Sequence, residues 1–309
     1  MSLAPALVSA ILPLYLMIAL GYIAGRYLHV SAQQIAGIVI YLIVPVVFFG
    51  AVATTPLNPE YLLLPVIAFA MSACMALLMY AVARHLFPDA TANLIGQASC
   101  TANTGYFGVP LFLSLQPEHT LGVYLLAIIG ISISEATLGY YIIARGHFTA
   151  REAVRKLLRL PLLYACAAGL VANLVVTSWP EALSKTLLQF RGAYVVLGMM
   201  MIGVGLSNLK VLKVEARFLT VLFFQKFVLW PLLAVGIILL DRLGPHLLDP
   251  LATRVILTFS LVPLAANTVA FAAQLRVHPE KAAAAVLIST VVALGYLPLA
   301  FGLLQRWGF

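Results

Sequence analysis

Apolar residues in this chain come in long unbroken runs, without the period-two alternation of a half-buried strand. Bounded by charges, Pro/Gly clusters and loop residues, the runs cover 5–25, 33–53, 61–84, 91–115, 119–144, 158–177, 187–207, 217–240, 251–274 and 283–304. Each has about the 20 residues that carry a helix across the hydrocarbon core of a bilayer. A membrane barrel would instead alternate lipid-facing and lumen-facing residues in segments of about ten. The pattern predicts an all-α polytopic membrane protein with ten transmembrane helices.

Lys and Arg set the orientation, because basic residues near helix ends are retained on the cytoplasmic side. One set of connections holds 12 of the 18, the other holds 5, and Lys226 lies inside a run. The richer side is read as cytoplasmic, which puts both termini outside and the basic linker RGHFTAREAVRKLLRLP inside. The linker divides the chain into 1–145, a first five-helix repeat; 146–160, the linker; and 161–309, a second repeat. Five is odd, so the halves lie inverted across the bilayer, as in many secondary transporters. The first basic residue, Arg26, follows the first apolar run, so that run is expected to remain as a membrane helix. The expected location is the membrane itself, of the bacterial inner membrane type.

Composition agrees: 63% of the 309 residues are hydrophobic and 9% charged, far too few polar groups to cover a water-facing surface. The net charge of +8 is explained by the topology, so no nucleic-acid partner is expected. Three cysteines, Cys74, Cys100 and Cys166, all within apolar runs, make no disulfide framework.

Two runs carry residues that an uninterrupted helix avoids. The fourth contains Asn103, Thr104, Gly105, Tyr106, Gly108 and Pro110; the ninth contains Pro263 one turn before Asn267 and Thr268. Both read A-N-T-x-x-F, at 102–107 and 266–271, at the same ordinal place in their halves. Non-helical backbone at membrane depth is tolerated only where it packs in protein or faces a watery cavity. Two such breaks would turn half-helix N-termini, Asn side chains and Thr hydroxyls toward a small cavity suited to an anion, most simply a carboxylate. Packing kinks between small residues are the plainer alternative.

At these residues the chain resembles the auxin efflux carrier family, which includes PIN-type plant exporters and bacterial permeases for malonate, malate and related carboxylates. The likeness rests on NTGYFGVPL at 103–111, YLIVPVVFF at 41–49, MMIGVGLS at 200–207 and VPLAANTVAFA at 262–272. It implies ten helices in two inverted repeats, with broken helices four and nine crossing beside the substrate. It also implies a scaffold of helices one, two, six and seven, past which the others move in an elevator-like step. By that resemblance Asn103, Thr104, Pro110, Pro263 and Asn267 map to the crossover, and Pro45 to a kinked helix facing it. The long hydrophilic central loop of some plant exporters is missing.

Glu135 is the one acidic residue deep inside a run, and Lys226 the one deep base. A carboxylate in hydrocarbon is costly unless paired, neutralised or hydrated, and suggests an ion or proton pathway. Glu135 is read either as a coupling group or as a structural acid, neutral or paired with Lys226. Lys226 is read as an attractor of anions, as that partner, or as a side chain snorkelling to the interface. Arg191, at the outer end of run seven, is read as a group that steers anions or, in preference, as an interfacial anchor.

Enzyme chemistry finds no support: the six histidines lie in loops or at run ends, and neither G-x-S-x-G nor H-E-x-x-H nor C-x-x-C occurs. A channel or membrane sensor is less favoured, since a filter around an oligomer axis needs one pore element per subunit and this chain pairs two within itself. A bile-acid/sodium symporter-like carrier is the nearest alternative. The expected partners are a small organic anion and the lipid bilayer, with a homodimer allowed but not required. No cofactor is expected; coupling to Na+ or H+ is left open.

Overall fold

The computed structural model describes residues 3–54, 61–117, 120–159, 161–176, 178–207 and 215–306, whose regular elements are all helices, with no strand among them. In chain order the helices are α1 Leu3–Tyr27, α2 Ala32–Thr54, α3 Leu63–Leu86, α4 Thr91–Ser99 and α5 Val109–Leu115. There follow α6 Leu121–Ala144, α7 Ala150–Leu157, α8 Pro161–Val175, α9 Glu181–Ser207 and α10 Ala216–Leu243. The chain closes with α11 Pro250–Leu261, α12 Asn267–Leu275 and α13 Pro279–Arg306. Among the described residues, α2, α3, α6, α9 and α10 are each continuous, long and apolar enough to cross a membrane. Large apolar side chains stand exposed on their outer faces, Leu240 at 70% and Leu77 at 54% for example. A lipid solvent makes such exposure favourable where water would not.

The start of α9 corrects the sequence reading. Run seven was placed at 187–207, but the helix begins at Glu181. Its first turns carry Glu181 and Lys185, ion-paired at 2.7 Å in the i, i+4 geometry that keeps both charged ends solvated while the helix continues. Arg191 therefore lies well inside the helix and not at its end.

Four π turns occur among the described residues: Val39–Ile43 in α2, Thr104–Gly108 ahead of α5, Glu135–Gly139 in α6 and Gln225–Leu229 in α10. Pro45, Pro110 and Pro231 each stand two residues beyond one of them. A helical proline lacks the N–H for the carbonyl four residues back and its ring crowds that carbonyl. Widening the turn before it relieves the crowding. The Glu135 turn has no such proline. There the Tyr140 N–H donates to the Glu135 carbonyl, and the Thr137 hydroxyl donates to the Ile133 carbonyl at 2.7 Å.

Small residues bring helix backbones together. A Cβ at Gly21 would overlap the Met200 carbonyl, and one at Gly203 the Ile18 carbonyl, so α1 and α9 touch along their length. Helix α8 lies along α2, where the Asn173 amide donates to the Val52 and Ala53 carbonyls at 2.8 and 3.1 Å. Helix α3 packs on α4 and on α6, the latter through Gly130, which leaves no room for a Cβ beside the Pro65 carbonyl. At one end of the molecule, Asp89 in the α3–α4 connection meets His278 at 3.2 Å, and Lys281 on α13 donates to Thr91 and pairs with Glu215. Burial raises the Asp89 proton affinity, but the Thr91 hydroxyl and amide, with His278 and Lys281, outweigh it and hold the carboxyl below its ordinary pKa. The basic linker contains α7, whose first turn is closed by reciprocal bonds between Thr149 and Glu152.

Candidate functional site

The fourth and ninth apolar runs are each interrupted, and the interruptions touch. Helix α4 ends at Ser99; residues 100–103 are non-helical, and Asn103 caps the π turn that leads into α5. Helix α11 ends at Leu261, and 262–266 run without helix to the start of α12 at Asn267. The Asn103 N–H donates to the Pro263 carbonyl at 2.8 Å, joining one break to the other through their backbones. Pro263 lies in its break as its chemistry requires. In the fourth run the unwinding precedes the Gly105-to-Pro110 stretch, which was expected to carry it: Gly105 and Gly108 belong to the π turn, and Pro110 stands in the first turn of α5 just beyond it.

Asn103 is buried and its Oδ1 accepts the Phe107 N–H at 3.2 Å, while its carbonyl accepts the Gly108 N–H. The Tyr124 hydroxyl donates to the Thr104 carbonyl at 3.1 Å, in the space that a Cβ at Gly108 would need. Across the crossover, the Asn267 amide is held at both ends. Its Oδ1 accepts the Tyr194 hydroxyl at 2.7 Å, and its Nδ2 donates to Glu135 Oε2 at 3.1 Å. Three helices, α9, α12 and α6, are thereby linked through one side chain.

These groups open on a cavity of about 300 Å³. Asn103, Thr104, Gly105, Asn267 and Glu135 line it, with Ser132, Ser184, Tyr194 and Arg191. The rest of the wall is mainly aliphatic and aromatic, from α2 (Val47, Phe48, Ala51), α6 (Leu125, Ile128, Ile129) and α9 (Leu187, Leu188, Val195). A polar patch with one fixed cation faces an apolar wall, the arrangement that seats an amphipathic anion. Among the described residues, no group of three or more His, Cys, Asp or Glu is gathered as a metal site would need.

The remaining sequence-predicted positions lie around the cavity. Gly108, Pro263 and Thr268 support the breaks and are buried behind the cavity wall. Pro45 is on the helix that supplies Val47 and Phe48, but its own contribution is to the π turn before it. Tyr106 and Pro110 are described for their backbone alone. Lys226 is apart from the cavity: it is fully buried, with Nζ 4.5 Å from the Trp230 ring centroid and no hydrogen-bond partner among the described residues. It neither pairs with Glu135 nor reaches the interface. Trp230 in turn donates from Nε1 to the Ser99 carbonyl at 3.1 Å.

Besides Ser184, sequence reasoning passes over Tyr194 and ranks Arg191 as an anchor ahead of an anion-steering group. Arg191 and Tyr194 lie on α9, three residues apart on one face. Arg191 was assigned to the interface because run seven was drawn too short, and Tyr194 has no motif around it. The signal that was available is the spacing R-x-x-Y entering an apolar helix.

No curated protein matches the chain. The family model described as membrane transport protein matches residues 6–152 and 145–301, nearly the whole sequence. With helical spans throughout and the family's motifs at the touching breaks, the chain belongs to the membrane transport protein family, that of the auxin efflux carriers.

Proposed function

We propose that the protein is a secondary transporter for a small organic anion, a mono- or dicarboxylate of auxin-like or malonate- and malate-like type. The observation that carries this reading is the meeting of two helix breaks, each with an Asn at its helix start, in one cavity that also holds Arg191. Helix starts present positive partial charge, and a guanidinium forks onto a carboxylate. The apolar wall favours a carboxylate with an apolar body. In this reading the ten spans form two inverted five-helix repeats, 1–145 and 161–309, joined by the cytoplasmic 146–160 linker, with both termini outside. The α1–α9 and α2–α8 pairs act as a scaffold past which the crossover moves in an elevator step. The cavity between scaffold and crossover then opens to one side at a time. The membrane is the inner membrane of a bacterium, and a homodimer is compatible with the reading.

Thermal unfolding of purified protein with a panel of carboxylates tests it. A bound anion raises the apparent stability by mass action, about 2.7 kcal/mol at a hundredfold excess over Kd. The double variant Asn103→Ala/Asn267→Ala should lose that stabilisation. Retained stabilisation would leave the breaks as packing kinks, and a panel without effect would remove the carboxylate reading.

A further inference from the structure

Charge around the cavity balances only while it is empty of anion. Of the residues lining it, Glu135, when ionised, and Arg191 are opposite in charge, and Tyr194 is a phenol. A monocarboxylate adds a second negative charge to a site with one fixed cation. In a low-dielectric cavity two anions beside one cation are strongly disfavoured. Lys226 cannot make up the difference, since it is stacked on Trp230 away from the cavity.

We propose that Glu135 takes up a proton when the anion enters, so that anion and proton are carried together. This rests on the reading of the cavity as the anion site. Glu135 is 4% exposed, with Oε2 held by Asn267, the Thr101 hydroxyl of the first break beside the carboxyl, and Oε1 outside hydrogen-bond geometry with any described residue. The free oxygen is where the proton goes. The titratable groups around the turn are Tyr140 on its own helix, the Cys100 thiol of the first break with Tyr80 packed in the same cluster, Tyr41 near Tyr140, and Tyr194 and Arg191 on α9. All except Arg191 are neutral acids at neutral pH, and α8 brings Leu162 and α12 brings Asn267, Ala270 and Phe271 toward the carboxyl, none of them titratable. A metal cation is a poorer counter-charge than a proton, because the Asn267 amide turns its donor nitrogen to the carboxylate and commits its oxygen to Tyr194. Both protonation states suit the linked side chains. In both states Oε2 accepts from Asn267 Nδ2, so a proton taken up at Oε1 leaves the Asn267 and Tyr194 bonds in place.

The test uses the full chain in detergent and the carboxylate that stabilises it best, at pH 6.5 to 8.5, where carboxylate probes are fully ionised. Binding should release alkalinity to a pH-indicator dye in weak buffer, and Kd should weaken as pH rises, approaching about tenfold per pH unit at the alkaline end. In Glu135→Gln that slope should flatten. The dye measurement on the unaltered protein decides the matter even where the variant fails to fold. Binding with no proton uptake, or an affinity that follows sodium and not pH, overturns the proposal while leaving the anion site standing. A panel in which no carboxylate binds overturns both.

Discussion

At the scale of single residues, the crossover depends on contacts that leave no spare volume. Gly108 has no room for a side chain because the Tyr124 hydroxyl occupies that space on its way to the Thr104 carbonyl. Gly108→Ala should destabilise the protein by about 1–3 kcal/mol, the usual cost of forcing a methyl into a packed site. Tyr124→Phe in the same chain should recover part of the loss, and a double-mutant cycle from thermal or denaturant unfolding checks the coupling. Legibility in the sequence followed local context. Asn103 and Asn267 stood out because each sits in the same six-residue pattern beside a helix breaker. Tyr194 did not, because its meaning comes from a bond to Asn267, 73 positions away, that no local pattern announces. Arg191 was visible as a charge and misjudged as an anchor, since only the length of α9 tells a cavity arginine from an interfacial one.

At the scale of elements, the apolar runs located the helices well because lipid exposure and burial both demand apolar side chains, leaving charges to mark the ends. Such a signal is blind to how helices pair, which the close backbone approaches at small residues decide. The α1–α9 seam shows the consequence. Gly21→Ala should separate the pair and cost about 1–3 kcal/mol, because the obstacle is the Met200 backbone and not a movable side chain. Gly236→Ala, on α10 with open space around it, should instead be neutral or stabilise by about 0.5–1 kcal/mol through helix propensity. Unfolding midpoints of the two variants, measured side by side, make the comparison. The π turns divide in a similar way: three answer to a following proline and could be anticipated from sequence, while the one at Glu135 could not.

At the scale of the whole molecule, the charge asymmetry that oriented the chain also gathers ion pairs at one end. Asp89, His278, Lys281 and Glu215 tie the α3–α4 connection to the starts of α10 and α13. A carboxyl whose pKa is lower folded than unfolded contributes stability above its unfolded value and loses it as pH falls through the folded one. Asp89 should therefore destabilise the protein as pH drops below about 4, the ordinary aspartate range. Thermal midpoints taken from neutral to acid pH should fall less steeply in Asp89→Asn. The two halves of the chain are also joined far from that end, where the Trp230 indole donates to the last carbonyl of α4, one residue before the first break. Of the three tryptophans, Trp230 is fully buried, with the Lys226 amine over its ring. Indole emission responds to nearby charge and to the loss of a hydrogen bond. The molecule thus contains an optical probe anchored to the crossover, able to report motion of the first break without any attached dye.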